Sequence, residues 1–175
     1  MIIDILEFIA AAVAAIATSV LAILGIRQLK QISEHMRVQG EREKKWATIK
    51  ACERYDSDPA LNHYTKVIWE KSKSGTDYTN IEEVRHEIFG FMNYLDSLAI
   101  GVYQRVNNEE IVYDHMKSTI YKAVKAFIKG ESGEADGFSW SANKPFVKPE
   151  GFTCLLKLYD KWFEGKSTPQ FQDMK

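Results

Sequence analysis

The chain has 175 residues, of which 45% are hydrophobic and 27% charged, with a formal net charge of -1. That balance excludes a disordered, charge-dominated chain and a polybasic nucleic-acid arm, so no duplex nucleic acid is expected as a partner. Cys52 and Cys154 form neither a CxxC pair nor a secreted framework, which fits two packing residues in a reducing compartment.

The first element is apolar. From Phe8 to Ile26 there are 19 residues without a charge, enough for a helix of roughly 28 Å, close to the hydrocarbon thickness of a bilayer. A cleaved signal peptide would open on Lys or Arg, whereas this segment follows Asp4 and Glu7. From Arg27 to Lys50, seven Lys and Arg face three Glu, a net +4. Basic flanks stay on the cytoplasmic side, so the expectation is a single-pass inner-membrane protein with its C-terminal domain in the cytoplasm.

Small residues recur in this span at fourfold spacing. Ala11, Ala15 and Ser19 form one line, with Ala10, Ala14, Thr18 and Ala22 beside it. Small faces let helices approach closely in lipid, which predicts a homo-oligomer; the plain alternative is a signal anchor diluted with alanine. Beyond the span, Leu29, Ile32 and Met36 continue a helical stripe that lapses around Gly40 before Trp46 and Ile49 resume it. Gly40 is the expected hinge of this juxtamembrane helix, and the basic residues beside it also suit anionic lipid.

Helix punctuation is dense in the rest. Asp58 and Pro59 read as an N-cap and first-turn proline, opening a helix that stops near Gly75. Asn80-x-x-Glu83 and Asn107-x-x-Glu110 read as capping boxes, with Gly130 ending the helix after the second. A last helix should start near Pro149 and end at Gly165. The stretch from Ile81 to about Gln104 is the most apolar and should be central, with a shallow groove at Gly90, Ser97 and Gly101. Asp96 on this helix needs a partner, and Arg54 or Arg105 is the expected one. With no strand alternation, the fold reads as all-α: a transmembrane anchor over 1–26, a juxtamembrane helix over 27–56 and a compact cytosolic helical bundle over 57–175.

The run Asn93-Tyr94-Leu95-Asp96-Ser97-Leu98-Ala99-Ile100-Gly101-Val102, with the closing Leu155-x-x-x-Tyr159-x-x-Trp162, resembles a family of uncharacterised bacterial proteins. The resemblance implies one N-terminal membrane helix and a small helical domain, and it implies no catalytic residue. The layout is also similar to that of membrane effectors of bacterial antiviral systems, in which a soluble domain senses a signal and short membrane helices perturb the bilayer.

Motifs for chemistry are missing from the sequence. His35, His63, His86 and His115 are scattered without HExxH or CxxC spacing, and Glu83-x-x-His86 occurs once where a di-iron bundle needs it twice. No nucleophile elbow, phosphate loop or dinucleotide turn occurs, so neither enzymatic activity nor a metal or other cofactor is expected. The most suggestive segment is the loop Phe138 to Lys148, where aromatics and lysines interleave. As a recognition loop, Trp140 and Phe146 would stack on a ligand or partner while Lys144 and Lys148 meet an anionic group. As a plain connection, its aromatics would plug the bundle.

The expected function is therefore a non-enzymatic membrane protein whose cytosolic domain binds a protein partner or a small anionic ligand and relays that signal to an oligomeric segment in the lipid bilayer. The alternative is a membrane-perturbing antiviral effector gated by a nucleotide-like anion.

Overall fold

The computed structural model describes residues 2–73, 84–135, 138–140, 142 and 144–165, with side chains from Ile16 onward except at 69, 71–73, 135, 138 and 139. Helix α1 runs over Ile2–Ser57, α2 over Pro59–Lys73, α3 over Arg85–Tyr103, α4 over Glu109–Ala123 and α5 over Thr153–Phe163. The chain divides into two compact units between Glu43 and Lys44. Helix α1 supplies the whole of the first and opens the second.

In the first unit the helix passes Gly40 without interruption, where a hinge was expected. Local pairs support it there: the Arg37 guanidinium donates to the Glu34 carboxylate at 2.7 Å, and the Gln39 amide donates to Glu43 at 2.8 Å. Such pairs one turn apart each add a few tenths of a kcal/mol and offset part of the glycine's cost.

The second unit is built around α3. Its apolar residues at Ile88, Phe91, Met92, Leu95, Leu98, Ala99 and Val102 are all buried, the spacing of a helix covered on more than one side. Around it lie Ile68 of α2, Met116 and Ile120 of α4, Leu155, Leu158 and Tyr159 of α5, and Cys52 at the end of α1. The groove expected on α3 is partly realised. A Cβ at Gly90 would collide with the Tyr64 ring of α2, whereas Ser97 is exposed and donates to the Asn93 carbonyl.

Several helix ends follow the sequence signals. Asp58 accepts the Ala60 N–H at 3.0 Å ahead of Pro59. Gly130 adopts φ +66, and a Cβ there would also collide with the Lys144 backbone, so glycine is required twice over. The second capping box is shifted by one residue. Asn108, not Asn107, caps α4 by accepting the Ile111 N–H at 3.2 Å. Asn107 is taken up in closing α3, where its amide donates to the Leu98 carbonyl and its backbone N–H to Gly101. Arg105, at φ 60, makes the left-handed turn there that glycine usually makes. Gly75 and the box from Asn80 to Glu83 lie outside the described residues.

Two short departures from a purely helical chain were not expected. Helix α4 continues into a π-helical turn over Val124–Lys129, and an antiparallel hairpin follows, β1 over Gly133–Ala135 and β2 over Phe138–Trp140, with Gly133 opposite Trp140. At three residues each, these strands are too short for an alternating pattern to register. The fold class remains all-α, with the hairpin as an ornament of the loop.

Candidate functional site

The loop singled out in the sequence is strapped to the domain by its backbone. Phe146 and Val147 both donate their N–H to the Phe127 carbonyl, at 2.8 and 3.0 Å. The Ser132 hydroxyl donates to the Ala142 carbonyl and accepts the Ala142 N–H. Trp140 is only 5% exposed. Its indole N–H donates to the Glu131 carbonyl at 2.7 Å, and its ring stands edge-on to Tyr121 at 6.5 Å. Phe146 is half-buried and tilts against Phe89 at 6.1 Å. Lys144 and Lys148 are exposed.

The four residues are thus divided: two aromatics face packing partners and two ammonium groups face solvent. Stacking Trp140 on a ligand would require it to leave the core and break its indole hydrogen bond. What the loop offers without rearrangement is positive charge. Asp136, Gly137, Ser141 and Asn143 lie outside the described residues.

Sequence reasoning missed a second feature, a notch of about 430 Å³ lined by Glu109, Glu110, Tyr113 and Trp162. Glu109 sits in the first turn of α4 and receives Lys161 Nζ at 2.7 Å and the Trp162 indole N–H at 3.0 Å. Burial pushes the Glu109 carboxyl up, but these two hydrogen bonds and the Lys161 charge together outweigh it and hold the pKa below its ordinary value. Tyr113 meets Trp162 edge to face at 5.1 Å. Glu109, Lys161 and Trp162 already satisfy one another, so the arrangement clasps α4 to α5. The sequence signal was the acid in a first turn, but its partners lie more than 50 positions away.

Asp96 does not meet Arg54 or Arg105. Arg54 pairs with Asp58, while the Asp96 carboxylate accepts the Leu155 N–H at 2.9 Å and so caps α5, whose own N-cap Phe152 has no side chain to do it. A hydrogen-bond donor meets the need that predicted a cation. Burial holds the Cys52 thiol up at about 11, and the Cys154 thiol is raised as well, chiefly by burial, so neither is a ready thiolate. Among the described residues no group of three or more His, Cys, Asp or Glu is placed to hold a metal ion.

In the first unit Ser19 is exposed, as are Ile16, Val20, Leu21, Ile23, Leu24 and Ile26, each at 47% or more. The side chains of Ala11 and Ala15 lie outside the described residues. Among the described residues no helix is long and apolar enough to cross a membrane; in the expected Phe8 to Ile26 span, side chains are described only from Ile16.

The architecture defines a small helical domain whose first element is the end of the long helix α1. Residues 7–142 match the family model described as Domain of unknown function (DUF4760), and the chain belongs to that family. No curated protein and no solved structure matches it. The resemblance to an uncharacterised family therefore holds at that level, and the family's description names no activity.

Proposed function

We propose that the chain is a non-enzymatic, single-pass bacterial inner-membrane protein whose C-terminal helical domain lies in the cytoplasm, binds a partner or signal, and relays it to an oligomeric membrane segment. The observation that carries this reading is the exposure of every large apolar side chain from Ile16 to Ile26, on a helix whose sequence is uncharged from Phe8. Each such side chain left in water forgoes roughly 1.5–3 kcal/mol, and lipid supplies the missing burial. The Lys- and Arg-rich flank supports the orientation, and the Ala11, Ala15 and Ser19 line supports the oligomer.

Alkaline extraction of membranes and a reporter active only in the periplasm, fused after Lys175, test the reading together. The chain should stay in the membrane pellet and the reporter should be silent. Release into the supernatant overturns the anchor, and strong reporter activity overturns the orientation.

A second reading, a membrane-perturbing antiviral effector gated by a small anion, is favoured by the exposed Lys144 and Lys148 on a strapped loop. It requires loss of membrane potential on expression, abolished by Lys144→Glu with Lys148→Glu; an unchanged potential on expressing the parent chain rules it out.

A further inference from the structure

One strip of α1 is the exception on both sides of Arg27. At 3.6 residues per turn, Thr18, Ala22, Gly25, Leu29, Ile32 and Met36 fall on a single line with alternating steps of four and three. Before Arg27, the large apolar residues from Ile16 to Ile26 lie off this line, and Ala22 and Gly25 are the two small residues between Val20 and Ile26. After Arg27 the polarity inverts. Arg27, Lys30, Glu34, Arg37 and Glu41 fall on the opposite side, while Leu29, Ile32 and Met36 stand 67%, 54% and 69% exposed. Between Val20 and Ile26 the strip is small where its neighbours are large, and after Arg27 it is apolar where its neighbours are polar or charged.

Gly25 lies on this strip and, like Gly40 and Gly151, is open on its Cβ side. A Cβ at that position would meet nothing within 4 Å in its own chain, and its φ is not left-handed. Glycine inside a helix costs about 1 kcal/mol relative to alanine, and neither backbone geometry nor packing within the chain calls for it. Within the uncharged stretch, a glycine leaves room for a helix from outside the chain to approach closely.

We infer that this strip of α1 is the docking surface for the same strip of a second copy of the chain, in a parallel, in-register, left-handed helix pair. The inference rests on the membrane reading above and deepens it by naming the partner, its direction and its register. An occupant of the whole strip must be apolar alongside Ala22 and Gly25 and must still follow a straight line past Met36, roughly 27 Å from Thr18. A helix that leaves the bilayer in the same direction meets both demands, and a second copy inserts in the same direction because it carries the same flanking charges. Steps of four and three give a period of 3.5, the repeat of a left-handed supercoil. In sequence the line extends back through Ala15 and Ala11 to Phe8, which brings it to four heptads. The fourfold line through Ala11, Ala15 and Ser19 shares Ala11 and Ala15 with this strip and departs from it at Ser19, running on into Ile23. A parallel pair also keeps the charges opposite the strip away from their counterparts, so like charges do not meet across the seam. Glu43 is the first charge on the line and ends it.

Single cysteines placed in turn from Gly25 to Arg37 of the full-length chain, oxidised in native membranes, test this directly, with the parent chain, which carries the buried Cys52 and the half-buried Cys154, as background. Disulfide-linked homodimer should peak at Gly25, Leu29, Ile32 and Met36 and be minimal at Lys30, Glu34 and Arg37. Gly25→Leu should lower linkage at Leu29→Cys by roughly tenfold, on the scale of helix association energies in lipid, while membrane extraction stays unchanged. Membrane-inserted chains with a flat profile, with peaks on the charged side, or with links only to another protein overturn this inference and leave the anchor standing. A chain released by alkaline extraction overturns both.

Discussion

The carboxylate of Asp96, in the middle of α3, accepts the backbone N–H of Leu155, in the first turn of α5, at 2.9 Å across 59 positions of sequence. The helix thus borrows its cap from a neighbour. Asp96→Asn keeps an acceptor and should change stability little, whereas Asp96→Ala should cost about 1–2 kcal/mol, measured by urea unfolding with an unchanged slope. Burial raises the Asp96 pKa and the Leu155 N–H lowers it by less. The folded chain therefore holds this proton more tightly than the unfolded one, and the contribution to stability falls as pH rises from the ordinary carboxyl value of 3.8 through the raised one. Over that window the parent should lose stability relative to Asp96→Asn; a constant difference between the two would contradict the shift.

Glu109 titrates in the opposite sense. Its folded-state pKa lies below the ordinary value of 4.5, so its contribution is fully present above that value and disappears as pH falls through the lowered one. Glu109→Gln should lower the melting temperature at about pH 7 and approach the parent's as the medium is acidified. A melting-temperature gap that persists at the acid end would show that Glu109 acts by packing alone.

Trp140 and Lys144 separate the two roles of the loop. Trp140→Ala should lower stability by roughly 3–5 kcal/mol, as large core truncations do, because the ring is buried and its indole N–H is paired. Lys144→Glu should leave the unfolding curve within about 0.5 kcal/mol of the parent. If a small anion acts through this loop, the second variant should abolish the response at full stability. Denaturant curves and the membrane-potential readout on the same two proteins check both expectations.

The family match ends at residue 142, yet Leu155, Leu158 and Tyr159 are buried in the same core as α3 and α4. A chain truncated after Ala142 should lose cooperative unfolding altogether, because those three side chains leave a void beside α3 and strand the Asp96 carboxylate. A sharp thermal transition in the truncated chain would show that α5 is dispensable.

What the sequence disclosed was local. Asp58 with Pro59, Gly130 and Gly165 marked helix ends because caps and left-handed turns are decided within a few residues. The central place of α3 followed from the density of its apolar positions. The partner of Asp96 and the clasp at Glu109 depend on residues brought together over long separations, and spacing along the chain carries no trace of them, whereas the burial of Trp140 was one of the two readings its aromatic ring allowed. The shift from Asn107 to Asn108 shows the limit even at close range: either asparagine can cap, and the tie went to the one left over after α3 had been closed. Arg105 hid that closure, since its left-handed turn stands where glycine would have announced it.

Thr48 is fully buried, and its hydroxyl works in both directions: it donates to the Lys44 carbonyl one turn back and accepts the N–H of Asn108 at the mouth of α4. One turn further on, the Tyr94 hydroxyl reaches the carbonyls of Ala51 and Cys52. These bonds all lie on one side of α1 within about two turns, so they act as an angular index for the segment from Lys44 to Ser57, fixing which of its sides faces α3 and α4. Twisting α1 would pull first on the entry to α4 and on Tyr94, whereas the cap at Leu155 does not touch α1. Within the second unit, the last turns of α1 are therefore held by polar bonds to α3 and to the entry of α4.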